Sequence, residues 1–187
     1  MEKKIWFISD THFGHQKDFL WTPRGFASSA IHDETIIENW NNLIAPEDEV
    51  YHLGDVMLGD NEHGIECLRR LNGNIHIMLG NHDTDTRKIL YESCFNVVEI
   101  AYAKEIKIGK NYFWLSHYPT ITANYDDGKP WAKHLINIYG HTHQKEKFYN
   151  NNPYMYCACL DAQNNCPVEL NTILAEIKEK KEQLDRE

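Results

Sequence analysis

Five apolar runs of strand length in this chain each stop at a residue able to bind a metal ion. Ile5-Trp6-Phe7-Ile8 leads to Asp10-Thr11-His12, and Val50-Tyr51-His52-Leu53 leads to Gly54-Asp55. Residues 75–79 lead to Gly80-Asn81-His82-Asp83, residues 112–115 to His117, and residues 135–139 to Gly140-His141-Thr142-His143. In open α/β sheets, ligands collect beyond the carboxyl ends of the strands. The five polar segments sit where that rule places a site, and such an arrangement demands a fold that gathers five strand ends.

Helical periodicity alternates with the early strands. Residues 33–44 carry a stripe of Ile36, Trp40 and Leu43, and residues 61–71 carry Ile65, Leu68 and Leu71 on one face, with Gly73 just beyond as a stop signal. A short helix is expected over 85–92. A final one is expected from about 170 to 184, with Leu170, Ile173, Leu174 and Ile177 inward and Glu176 and Lys180 as an i,i+4 pair outside. Residues 97–100, 105–108 and 112–115 read as consecutive strands, with Gly109-Lys110-Asn111 as a hairpin turn. A βαβα first half followed by an antiparallel middle predicts an α/β protein with a mixed sheet or two sheets. At 187 residues one domain, 1–187, is expected, since domains run to roughly 150 residues.

The spacing of the polar segments fits metal chemistry. In extended backbone, residues i and i+2 point the same way, so Asp10 and His12 can reach one cation, and His141 and His143 can serve two adjacent ones. Asp55 has two oxygens, enough to bridge metals about 3.5–4 Å apart. Asn81 offers a neutral oxygen and His117 another imidazole. The donors are nitrogen and oxygen only, which suits Mn²⁺, Fe or Zn²⁺ rather than a structural thiolate zinc site. Two such cations would activate a bridging water as hydroxide and clamp phosphate oxygens. His82 sits in a turn beside Asn81, where it can stabilise charge or protonate a leaving oxygen, and Asp83 is placed to hold its other ring nitrogen.

The blocks D-x-H, G-D, G-N-H-D, a single His and G-H-x-H, in this order, resemble those of the calcineurin-like metallophosphoesterase superfamily. The resemblance runs from Ile5 to about Ile177. The stretches Ile8-Ser9-Asp10-Thr11-His12-Phe13-Gly14-His15 and His52-Leu53-Gly54-Asp55 are similar to the small bacterial and phage branch. It implies a four-layer α/β/β/α sandwich with two mixed β-sheets. It also implies a first metal on Asp10, His12, Asp55 and His143, a second on Asp55, Asn81, His117 and His141, and His82 as the catalytic histidine. Ser116 stands before His117 where many members have Gly. The implied activity is hydrolysis of a phosphodiester or phosphomonoester by a metal-bridging hydroxide. The alternative is a non-catalytic metal-binding interaction module on the same fold, as the retromer subunit of the family is understood to be.

Around this set, Arg24, His15 and Tyr118 are candidate substrate contacts, because a guanidinium fork suits phosphate and the other two adjoin ligand segments. The stretches 16–29 and 120–131 are candidate substrate loops, and within the second, residues 124–131 are turn-rich. His32, His52, His63, His76 and His134 read as packed or surface groups. The formal net charge of −9 disfavours long nucleic acid and leaves a small phosphate ester as the expected partner. No run approaches the ~18 apolar residues of a membrane span, and Met1-Glu2-Lys3-Lys4 leads straight into a strand, so a cytoplasmic location is expected. Five cysteines without a C-x-x-C pair read as buried reduced thiols.

Overall fold

A computed structural model describes residues 3–123 and 134–186. The turn-rich stretch 124–131, expected as a surface or substrate-facing loop, lies outside the described residues. In chain order the elements are β1 (Ile5–Ile8), α1 (Asp18–Trp21), α2 (Ser29–Leu43), β2 (Glu49–His52), α3 (Asn61–Arg69), β3 (Asn74–Met78) and α4 (Asp85–Glu92). Then come β4 (Val97–Ala101), β5 (Ala103–Ile108), β6 (Asn111–Ser116), β7 (Leu135–Tyr139), a 3-10 turn at Tyr149–Asn151, β8 (Met155–Cys157), β9 (Val168–Glu169) and α5 (Leu170–Leu184).

Two mixed sheets result, in the orders β4-β3-β2-β1-β9 and β5-β6-β7-β8. In the first, only β9 runs antiparallel to its neighbour; in the second, only β5 and β6 do. Side-chain alternation sorts the residues of the first sheet between two cores. Trp6, Ile8, Val50, Ile75 and Ile77 face α2, α3 and α4, where they meet Ile36, Trp40, Ile65 and Leu68. Phe7, Leu53 and Met78 face the second sheet and meet Phe113, Leu115, Ile136 and Ile138. α5 lies beside β1 and β9 and adds Leu170, Ile173 and Ile177 to that second core. Burial on both faces explains why these strands read as nearly unbroken apolar runs. The architecture is the α/β sandwich of two mixed sheets expected from the motifs.

Register decides where the strands end. Ile8 pairs with His52 and His52 with Ile77, so β1, β2 and β3 finish level. Leu115 pairs with Ile138, which aligns β6 and β7 in the same way. A bridge between Ser9 and Cys159 joins the two groups of strand ends.

Two helix boundaries and three short elements differ from the sequence-based expectation. α2 begins at Ser29 rather than 33, because the Ser28 side chain accepts the Ile31 N–H at 3.2 Å and caps it. α3 stops at Arg69, and Leu71 beyond it donates to Leu68 O in a turn while its own carbonyl accepts Asn96 Nδ2 at 2.9 Å. α1, β8 and β9 are too short to leave a periodic signal. Among the described residues no helix is long and apolar enough to cross a membrane. All five cysteines are free, four of them buried.

His52, at the end of β2, is wholly buried. Thr11 donates its hydroxyl to Val56 O at 2.7 Å, so it accepts from His52 Nε2 at 2.9 Å, and Nδ1 is left bare with no partner. Burial pushes His52 from the ordinary 6.5 down to about 4. The folded state therefore binds fewer protons than the unfolded chain between those values. This contribution to stability is full above 6.5 and is lost as pH falls toward 4. Unfolding of wild type and His52→Gln should differ in pH slope, with wild type losing on the order of 2–3 kcal/mol more between pH 7 and 4.5. Equal slopes in denaturant titrations at the two pH values would place the proton uptake elsewhere.

Candidate metal centre

The seven expected ligands hang from the level strand ends of both sheets. The ladder continues into their loops: Asp10 N donates to Gly54 O and His12 N to Asp55 O, both at 3.0 Å, and Gly140 N donates to His117 O at 2.9 Å. Five of the seven, Asp10, His12, Asp55, His141 and His143, have positive φ between 48° and 69°. Left-handed backbone at a non-glycine residue costs of order 1–3 kcal/mol and persists only where its surroundings enforce it. Close approach supplies the enforcement. A Cβ at Gly140 would overlap Ser9 Oγ and stand 2.5 Å from Asp10 Oδ2, and one at Gly80 would overlap Asp55 Oδ1.

The donor atoms fall into two groups. In the first, His12 Nε2 lies 3.3 Å from His143 Nε2, 3.8 Å from Asp10 Oδ1 and 3.7 Å from Asp55 Oδ2, and His143 Nε2 lies 3.7 Å from Asp10 Oδ1. In the second, His117 Nε2 lies 3.0 Å from Asn81 Oδ1, 3.2 Å from His141 Nδ1 and 3.5 Å from Asp55 Oδ2. Bonds of about 2.0–2.2 Å in a tetrahedral shell put neighbouring ligand atoms about 3.3–3.6 Å apart, so both groups are spaced for a cation. Asp10, His12 and His143, and likewise Asp10, Asp55 and His117, form candidate metal-holding clusters.

Hydrogen bonding leaves these atoms available. Asp10 Oδ2 accepts His141 N and Asp55 Oδ1 accepts His82 N, each at 2.9 Å. Asp10 Oδ1 is buried with no partner, as expected of an oxygen whose partner is an ion. His117 Nδ1 meets Leu53 O at 2.8 Å; a carbonyl only accepts, so Nδ1 carries the proton and Nε2 keeps its lone pair. His12 Nδ1 is also buried without a hydrogen-bond partner. Burial, reinforced by His143, holds His12 well below the usual histidine range, and burial beside His117 lowers His141. Burial raises Asp55 to about 6, since nothing nearby fully offsets its charge.

Around the donors, His82 Nε2 stands 4.0 Å from Asp55 Oδ2, its side chain 43 % exposed at the mouth. Tyr118 packs edge-on against His117 and His141, with ring centroids 5.1 and 4.7 Å away, and is half exposed. His15 is buried edge-on to His12 and Phe19, its Nδ1 accepting Lys17 N. Arg24, expected at a substrate phosphate, is buried behind the site instead. Its guanidinium is committed to both Asp161 oxygens (2.7 and 3.2 Å), to Asp10 O (2.9 Å) and to His32 Nε2 (3.0 Å).

The role expected of Asp83 needs correction. Its carboxylate does not hold the His82 ring. Oδ2 accepts Asp55 N and Gly80 N at 2.7 and 2.8 Å, and Oδ1 accepts Val56 N at 3.2 Å and the Tyr91 hydroxyl at 2.6 Å. These donors saturate the group, and it pins two ligand turns together from below.

Asp161 was missed. Its Oδ2 receives His143 Nδ1 at 2.9 Å as well as Arg24. Burial alone would raise its pKa, but the hydrogen bonds from His143 and Arg24 hold it far below the carboxylate range. A signal existed: the apolar run from Tyr154 to Leu160 ends in Asp161, as five other apolar runs end in candidate ligands.

Removing a saturated buried carboxylate strands its donors, at about 1–3 kcal/mol each. Asp83→Ala should therefore lower the unfolding free energy of metal-free protein by roughly 3–5 kcal/mol. His82→Ala, at an exposed position, should change it by under about 0.5 kcal/mol. Equal losses in chemical denaturation would put both residues in the same role.

The calcineurin-like phosphoesterase superfamily domain model matches residues 4–157. An uncharacterized protein of Methanocaldococcus jannaschii is 33% identical, over 96% of this chain and 94% of its own length. The Gene 66 protein of Mycobacterium phage L5 is 28% identical over 74% of this chain and 76% of its own. The crystal structure of a protein of unknown function from Aquifex aeolicus superposes with a TM-score of 0.67 at 26% identity, covering 92% of this chain and 98% of that one. Its matched sequence, its two mixed sheets and its clustered candidate ligands agree: the chain belongs to the calcineurin-like phosphoesterase superfamily.

Proposed function

We propose that this chain, as a single domain, is a phosphoric-ester hydrolase that works with two metal ions. The observation that carries this reading is the shared oxygen: Asp55 Oδ2 lies 3.7 Å from His12 Nε2 and 3.5 Å from His117 Nε2, within reach of both donor groups. Asp10, His12, Asp55 and His143 would hold one ion, and Asp55, Asn81, His117 and His141 the other. The nitrogen and oxygen donors suit Mn²⁺, Fe or Zn²⁺. Bound there, such ions would supply an acidified water and neutralise charge on phosphate oxygens.

The protein's own groups would do the rest. His82, at the mouth, would donate a proton or a hydrogen bond to the oxygen that leaves. Asp83 would keep the turns bearing Asp55 and Gly80 from shifting, and Tyr118 and His15 would wall the site. A cleft of about 260 Å³ beside His143, lined by Phe19, Leu20, Pro23 and Asp161, favours a small ester carrying an apolar group. The five free thiols are in keeping with a reducing, cytoplasmic setting.

Mn²⁺-loaded protein should hydrolyse a chromogenic phosphodiester or its matching monoester, and chelation should abolish turnover. His82→Ala should lose about 10²–10⁴ in kcat while keeping its metal content. An unchanged rate would remove His82 from the chemistry. Faster diester cleavage would favour the apolar cleft as an ester pocket. Absence of turnover on either ester with both ions bound would favour the alternative, a non-catalytic interaction module on this fold.

A further inference from the structure

Resting on the reading of His143 as a ligand, we propose that Asp161 is a positioning residue that fixes the His143 ring, with Arg24 as its buried counter-ion. Asp161 lies outside all five ligand segments. Its Oδ2 is 2.9 Å from His143 Nδ1, and an ionised carboxylate only accepts, so Nδ1 carries the proton and Nε2 is presented to Asp10 Oδ1 and His12 Nε2. The other contacts of the ring are looser: Arg24 Nη2 lies 3.4 Å from Nδ1 and the ring stacks on His12 at 5.2 Å, while the side chain is 36 % exposed and the backbone left-handed.

The carboxylate is in turn over-determined. Arg24 meets it with two nitrogens, and the Cys159 thiol donates to Oδ2 at 3.0 Å. The Arg24 side chain is 1 % exposed, so this partner balances a buried charge. The same guanidinium donates to Asp10 O, which couples the ring of one ligand to the backbone of another. Its remaining arm reaches His32 Nε2, and His32 Nδ1 donates to Asp33 Oδ1 at 2.8 Å. Asp33 Oδ2 accepts Gly14 N at 3.0 Å, just beyond His12. The chain of bonds thus leaves the site at His143 and returns to it beside His12. An exposed carboxylate near a metal site would need none of these partners. Outer-sphere groups that orient a ligating imidazole typically govern metal affinity by about ten- to a hundredfold.

The test is Co²⁺ titration of the full chain, followed by visible absorption, with ¹⁵N NMR of the histidine rings in metal-free protein. Two variants are compared with wild type. Asp161→Asn keeps the shape, and Arg24→Met with Asp161→Leu removes both buried charges together, so that neither is stranded. The expected result is that one of two Co²⁺ equivalents weakens by about ten- to a hundredfold while the other changes by less than about threefold. The His143 ring should lose its single Nδ1–H tautomer in the metal-free spectrum, a change that a general loss of rigidity would not confine to one histidine. Undiminished affinity at both equivalents in either folded variant would overturn the proposal, as would equal weakening of both. Failure of both variants to fold would also overturn it, making Asp161 a support of the chain rather than of one ring. Wild type that takes up no Co²⁺ would instead sink the ligand reading on which the proposal rests.

Discussion

Everything at the candidate centre depends on strand ends that turn left-handed as soon as the ladder stops. Parallel pairing brings β1, β2 and β3 to one level, and β6 and β7 to another beside it. A chain continuing in extended geometry would carry Asp10, Asp55 and His141 away from one another. The positive φ at these residues folds the side chains back over the strand ends instead. Parallel register alone gives alignment, and left-handed turns alone give scattered bends; convergence needs both.

The unfavourable turns are held by close contact rather than by propensity. Asp83 bonds two turns from below, and Gly80 and Gly140 let neighbouring chains approach where a methyl group would overlap ligand oxygens or Ser9. Each of the Asp10 and Asp55 carboxylates commits one oxygen to a backbone N–H and keeps the other free. The two carboxylates are therefore oriented before any ion arrives, which lowers the reorganisation that binding would require.

Much of this was legible in the sequence, and for a physical reason. β1, β7, α4 and α5 came out at their expected bounds because two-sided burial and helical periodicity leave dense local signals. The clustering of the seven candidate donors was legible because they follow the ends of five apolar runs. What escaped was decided by distant partners. Ser28 sets the start of α2 through a single hydroxyl, and β8 and β9 pair only because β7 and β1 offer edges. Arg24 was read from its neighbours in sequence, whereas its partner Asp161 is 137 residues away. Sequence adjacency pairs Asp83 with His82, whereas two of its four donors lie 27 and 28 positions upstream. Side chains with several donors or acceptors are claimed by whatever packing brings near, and adjacency in sequence says little about that.

The separation of the donors along the chain also bears on how the protein forms. His12 and His143, whose ring nitrogens lie 3.3 Å apart, are separated by 131 residues, and each donor group draws from both sheets. Such distant contacts form only after large loops have closed, which slows folding. No fragment ending at β6 holds either complete set, because His117, His141 and His143 all follow it. During synthesis the candidate donors are complete only once His143 has emerged, so any ion bound there would follow the pairing of β1, β2 and β3 rather than nucleate it.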